Sequence, residues 1–387
     1  MRPRVRTGPT IRSPLMRAIK GVDRHMGLHA PYGSHAVEGM PRAATETRGE
    51  SVRLIPWKTL PVVLMLSCAP ALAVNVAPAT DVSAQIFINA SQLDRGDVTS
   101  ADEDPALDLK RTFITLDHRF NQNWSAQVTT DVQWLRNDDP SDVWLRHAYL
   151  QRSFGKGRWL RLGNAPTAWI QQESMREGYR YIDAGLIART KMGAPADYGA
   201  HVQYVRGDFT YAASIVTGAG FQRPRLGKRA DVEMRLGWTP GKRLELAVGG
   251  YRGTRAQDAG HKPREHTARR WNAMASWVGE RGRIGGQYFH ADNWTRVTKP
   301  GDDDQRGWSA WASHQITPRY ALFTRHDMTR MSLDIDPRMQ ERYHVIGVEW
   351  KPNRHLRLAA VGKRVLQEMA NVRIESHEAG LWTQLAF

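Results

Sequence analysis

Basic side chains standing at alternate positions within apolar strands are the residues best placed to do chemistry in this chain. In "RWLRLG", Arg161 lies between Leu160 and Leu162. The same period of two sets Arg235, Arg243, Arg283, Arg325, Arg357 and Lys363 opposite apolar neighbours. A guanidinium binds phosphate or carboxylate through paired, charge-assisted hydrogen bonds. A ring of such groups inside a water-filled wall would therefore draw small anions. A second basic set, Arg176, Arg180, Arg189 and Lys191, falls in one long segment, 165–193. Glu173, Glu177 and Asp183 share that segment, so an anion path there requires the cations to cluster in space. Asp131, Glu233, Glu245 and Asp327 occupy polar faces too, and pairing with them would make the arginines part of the wall rather than of a path.

Other chemistry is poorly supplied. The 14 histidines show no zinc-binding spacing, and neither a phosphate-cradling glycine loop nor a nucleophile elbow is present. "GDDDQ" at 301–305 could take a divalent cation, but reads better as a solvated acidic loop tip. The expectation is a protein that is not an enzyme and holds no metal or cofactor. The net charge of +16 suggests nucleic acid at first. Residues 1–73 carry 11 Lys/Arg against 4 Asp/Glu, leaving 44 against 35 scattered along the rest, with no basic tail or binding module.

The element that positions these side chains is a repeated hairpin. Tight turns fall near Asn121, Lys156, Gly207, Gly241, Arg281, Pro318 and Asn353, at steps of 34 to 51 residues, each rich in Gly, Pro or Asn. About ten alternating residues flank each turn. In "WSAQVTTDVQW", Trp124, Ala126, Val128, Thr130, Val132 and Trp134 share one face, and Ser125, Gln127, Thr129, Asp131 and Gln133 the other. Longer polar segments at 91–106, 136–142, 165–193, 218–228, 253–267, 292–305, 328–340 and 366–374 separate the hairpins. Sixteen strands result, between about 82–90 and 376–387. A soluble sandwich would show no systematic alternation of short and long connections. The reading is an all-β, transmembrane antiparallel β-barrel of about 16 strands, with short periplasmic turns and long external loops. Tryptophans at 124, 134, 238, 277, 308 and 350 sit near strand ends, as an interfacial belt requires. A mean hydropathy of −0.55 is compatible with such strands, which average polar and apolar faces.

"VRLIPWKTLPVVLMLSCAPALA" has the plan of a bacterial signal peptide: Arg53 and Lys58, an apolar run from Leu60 to Leu66, and Ala71-Leu72-Ala73 for cleavage. The chain thus divides into an N-terminal extension (1–51), disordered or produced by a gene start placed too early, a signal peptide (52–73) and a barrel (74–387). Cys68 in "MLSC" faintly matches a lipid-acceptor site.

The stretch "DVWLRHAYLQRSFGKGRWLRLGNAPTAWIQQESMREGYRYIDAGLIARTKMGAPADYGAHVQY" resembles the phosphate-selective porin O and P family of Gram-negative outer membranes. The match is in the order of strand, short turn, "LRLG" strand, long loop and "DYGAHVQ" over about 60 residues. The resemblance implies a homotrimeric, anion-preferring channel. Ala165-Pro166-Thr167-Ala168-Trp169 departs from the Thr-Pro-Phe-Gly-like continuation of many members, so no phosphate-binding residue is carried over. The expected protein is an outer-membrane porin passing small anionic or neutral solutes. Its partners would be outer-membrane lipid, lipopolysaccharide and the barrel-assembly machinery, with Phe387 as assembly signal and nucleic acid excluded. The alternative is a non-porin barrel, either a membrane-embedded enzyme or a plugged structural or adhesive one.

Overall fold

A computed structural model describes residues 79–96, 106–135, 142–260, 266–370 and 372–387. The extension, the signal peptide with its Ala73 site, and Cys68 lie outside these residues.

Sixteen strands form one closed barrel in which each pairs antiparallel with its sequence neighbours. In chain order they are β1 (Thr80–Arg95), β2 (Ala106–Arg119), β3 (Trp124–Trp134), β4 (Asp142–Ser153), β5 (Trp159–Pro166), β6 (Ala196–Arg206), β7 (Phe209–Val216) and β8 (Asp231–Trp238). There follow β9 (Leu244–Gly253), β10 (Ala268–Val278), β11 (Gly282–Asp292), β12 (Asp304–Gln315), β13 (Tyr320–Arg330), β14 (Gln340–Trp350), β15 (Leu356–Met369) and β16 (Val372–Ala386). β16 closes on β1 over Gln85↔Ala386 to Arg95↔Ser376, and Phe387 exchanges backbone hydrogen bonds with Ala84 at 2.7 and 3.1 Å. No sheet edge is left open, which is the condition for spanning hydrocarbon with strands.

The alternation is polar inside and apolar outside. On β8, Met234 is 59% exposed while Glu233 and Arg235 are buried; on β3, Val128 points out and Thr129 and Asp131 point in. Inward carboxylates and guanidiniums satisfy one another, whereas lipid would satisfy neither. On β16 the outward face carries exposed Leu381 and Leu385, while Trp382 is fully buried inside.

Two expected boundaries move. The segment 366–374 is no long loop: β15 runs to Met369 and β16 starts at Val372. β1 likewise continues to Arg95, beyond the expected end at 90. Polar residues there misled a reading tuned to lipid-facing strands. Once strands project past the apolar belt, pairs such as Arg364–Glu375 (2.7 Å) replace hydrophobic ones.

Candidate pore constriction

The segment between β5 and β6 folds inside the barrel. It contains two short helices, α1 (Ile170–Glu177) and α2 (Leu186–Arg189). α1 ends on Gly178, whose φ of 86° suits glycine. Trp169, Ile170, Leu186, Ile187 and Met192 pack on inward Met274, Phe289 and Trp311. The Trp169 indole lies where β9 carries Gly249, and a Cβ at that glycine would stand 2.7 Å from the ring. Further along, Tyr181 and Ile182 pack against Phe87, Phe113, Phe323, Tyr343 and Trp382. The loop therefore touches both the β9–β12 wall and the wall that runs from β13 through β16 to β2.

Polar ties fix it. Asp183 meets Lys110 at 3.0 Å, Lys363 at 2.7 Å and the Tyr343 hydroxyl at 2.8 Å. Burial opposes its ionisation, but the two ammonium groups prevail and hold its carboxyl well below the usual range. Tyr181 donates to Glu349 at 2.9 Å, and Arg357 donates to the Gly178 carbonyl at 3.1 Å. Glu177 meets Arg325 at 2.7 Å. Buried Glu173 accepts from Gln287 through Oε1, while Oε2 has no hydrogen-bond partner among the described residues; burial raises this carboxyl to about 7.

The basic residues of the loop meet different fates. Arg176 is tied to Glu245, and Arg189 to Asp327 (3.0 Å) and Glu341. Lys191 is exposed at φ 59°, and its carbonyl accepts from the Trp294 indole at 2.9 Å. Arg180 makes no ion pair among the described residues. It is pushed down to about 9, first by burial and then by the Arg146 and Arg111 guanidiniums, and stays cationic at neutral pH.

Arg111 and Arg146 meet on one carboxylate: Asp131 Oδ2 lies 2.8 Å from Arg111 and 3.1 Å from Arg146. Arg146 also covers the rings of Phe113 (4.7 Å) and Phe221 (5.5 Å), and Arg111 stands 5.7 Å from Trp144. Arg180 lies within electrostatic reach of both guanidiniums and of Asp131 and Asp183, and pairs with neither carboxylate among the described residues. The surplus of positive charge sits where the inner loop faces the β2–β4 wall.

Sequence alternation missed Arg111 and Arg146 for a definite reason. Pairing shifts register between Leu109 and Thr112 on β2, and the β3–β4 register passes from His147 to Leu145, skipping Arg146. These are β-bulges, which re-aim a side chain. Both members of Lys110-Arg111 and of Arg146-His147 therefore turn inward: Lys110 to Asp183, Arg111 and Arg146 to Asp131, and His147 to Thr129 at 3.3 Å. Two consecutive polar residues inside an alternating strand were the available signal.

The strand candidates mostly serve the wall. Arg235 is buried on Glu245, Arg325 is bound by Asp327 and Glu177, Arg357 pairs with Glu349, and Lys363 with Asp183 and Glu378. Arg161 bonds Gln151 at 2.8 Å and stacks on Trp159 at 4.0 Å. Arg283 donates to the Met175 carbonyl at 2.7 Å and, with Arg357 and Tyr179, lines a cavity of about 130 Å³ beneath the loop. Arg243 precedes β9, is 57% exposed and pairs with Glu280, so it lies at a turn and not on the lumenal wall. The acidic tip at 301–305 is also more ordered than expected: Asp303 is buried and accepts from Ser332 (3.0 Å) and from the Leu333 and Asp334 amides.

Solved structures share this architecture. An anion-selective porin from Comamonas acidovorans superposes with a TM-score of 0.56 at 11% identity, over 80% of this chain and 99% of that one. OmpT, an outer membrane protein of Vibrio cholerae, gives 0.56 at 15% over 80% and 97%, and OprB of Pseudomonas putida gives 0.57 at 9% over 80% and 94%. The chain shares the closed-barrel fold of these proteins. No family model matches the sequence, and no curated protein does. At such identities the likeness concerns the barrel alone; the Asp131 cluster belongs to this chain's own residues.

Proposed function

We propose that this barrel is an outer-membrane porin: a water-filled channel for passive diffusion of small hydrophilic solutes, preferring anions such as phosphate, without enzymatic activity. The observation that carries this is the Arg111–Arg146–Arg180 group around Asp131. A sixteen-stranded barrel is wide enough for an aqueous path, and charge at its narrowest part selects the ion. The earlier resemblance to phosphate-selective porins O and P agrees with an arginine-lined path, as does the anion-selective porin among the structural neighbours. A homotrimer is part of this reading, and one Vibrio cholerae OmpT structure is described as a trimer form. Delivery would use the leader ending near Ala73, with Phe387 as the assembly signal.

One observation favours a second reading, a plugged barrel. The inner loop is tied to both walls, through Arg176 to Glu245 and Glu173 to Gln287 on one side and through Glu177 and Asp183 on the other. Single-channel recording in planar bilayers under a KCl gradient separates the two. The porin reading expects discrete conductance steps and a reversal potential on the chloride side, with block by added phosphate. Absence of conductance would sink it in favour of the plug, and a potassium-side reversal would remove the anion preference alone.

A further inference from the structure

The outward face carries an arrangement that a lipid-facing wall alone does not call for. Arg252 on β9 stands directly opposite Arg269 on β10, and Arg306 on β12 directly opposite Arg330 on β13. Arg252, Arg269 and Arg306 are exposed and Arg330 is half-buried, and none of the four makes an ion pair among the described residues. Like charges facing across a strand pair destabilise a sheet, and two such pairs occur within five strands. All four sit at the strand ends that adjoin long loops. Two residues further into the apolar belt, on the same faces, lie exposed Trp271 and Trp308. On β2, β3, β4 and β7 the corresponding outward ends carry Leu107, Trp134, Val143 and Ile215. The arginine pairs are therefore local to one arc of the rim.

We propose that this arc is a docking face for the phosphorylated head group of lipopolysaccharide. Each arginine pair presents two guanidinium forks to one phosphate, the geometry that converts facing like charges into a binding site. The centres of the pairs are three strand spacings apart, about 14 Å at ~4.8 Å per strand. That is the length scale of a disaccharide phosphorylated at both ends. Trp271 and Trp308 then lie at the depth where acyl chains begin, as interfacial aromatics do. Asp292 on β11 stands directly opposite Arg269, and Asp304 opposite Asp292, both beside His290 at 3.1 and 3.5 Å, so the arc sets four guanidiniums against two carboxylates and keeps a surplus of positive charge. The proposal rests on the outer-membrane setting and not on channel activity.

Native mass spectrometry of the detergent-solubilised protein tests it, with purified lipid A as probe. The wild-type protein should retain lipid A and bind the dephosphorylated form far more weakly. Replacing the arginines in the combined variant R252A/R269A/R306A/R330A should weaken lipid A binding by about fivefold per arginine. Conductance should be unchanged, since the four face away from the lumen. Equal binding of lipid A and its dephosphorylated form by wild type would overturn the proposal without any variant. So would a correctly folded quadruple variant that binds lipid A as wild type does. A variant that dissociates into monomers while keeping lipid A would overturn it too, marking the arc as a contact between copies.

Discussion

Arg146 reaches Asp131 at 3.1 Å from a β-bulge, and Arg111 reaches the same oxygen at 2.8 Å from a second bulge on the strand at Asp131's other side. Two local defects in regular pairing thus gather two guanidiniums on one carboxylate, and the inner loop adds Arg180 as the third. Since Arg180 alone of the three makes no ion pair among the described residues, its charge is the one a passing ion meets least compensated. Arg180→Ala should lower the anion-to-cation permeability ratio by about fivefold, the equivalent of ~1 kcal/mol for one charge at ~4 Å in water. Arg180→Glu should lower it further and move the reversal potential towards the cation side. An unchanged reversal potential in both would remove Arg180 from the selectivity filter.

Asp131 is fully buried, and among the described residues only one of its two oxygens is hydrogen-bonded. Asp131→Asn should raise anion preference, because Arg111 and Arg146 would lose their shared counter-charge. The same change should cost about 3–5 kcal/mol, the usual penalty for stranding one side of a buried ion pair. The two readouts are the reversal potential and the temperature at which the barrel loses its compact mobility on an SDS gel. A gain of selectivity with no loss of heat resistance would mean that water already solvates the pair.

The barrel was legible because period-two alternation and turn spacing follow from the pleat itself: Met234 out, Glu233 in, repeated strand after strand. The inner loop was also legible as a long polar segment in the right place. Which of its cations stays uncompensated was not. Arg176, Arg180 and Arg189 look alike in sequence, yet Glu245 takes the first and Asp327 with Glu341 the third. Those partners lie 69, 138 and 152 residues away, and only closure of the barrel brings them near. Arg111 and Arg146 were hidden differently, since a bulge changes which face a residue takes without changing its type.

Asp183 joins the loop to both sides of the barrel's closing seam, through Lys110 on β2, Tyr343 on β14 and Lys363 on β15. Asp183→Asn should release that end of the loop and leave the half-buried Lys110 and the buried Lys363 each short of a partner. Larger mean conductance and noisier open-channel current are expected, together with faster proteolysis within 178–186. Lys110→Met combined with Asp183→Asn should restore part of the quiet current, since one stranded charge is then removed. Identical current traces in wild type and D183N would show that the apolar packing of Tyr181 and Ile182 holds the loop unaided.

Glu173 gives the loop a pH dependence with a defined sign. Burial raises its carboxyl from an ordinary 4.5 to about 7 in the packed loop. Below 4.5 the group is protonated whether the loop is packed or free, and packing carries no penalty. Between 4.5 and 7 the free loop loses its proton while the packed loop keeps it, so packing weakens steadily as pH rises. Above about 7 the packed carboxylate is charged, with Gln287 as its hydrogen-bonding side chain, and the full penalty applies. Open-channel noise should therefore grow from pH 5 to pH 8 in wild type and stay flat in Glu173→Gln, which keeps the shape and removes the titration. Noise that falls with rising pH, or that rises equally in E173Q, would place the titrating group elsewhere in the lumen.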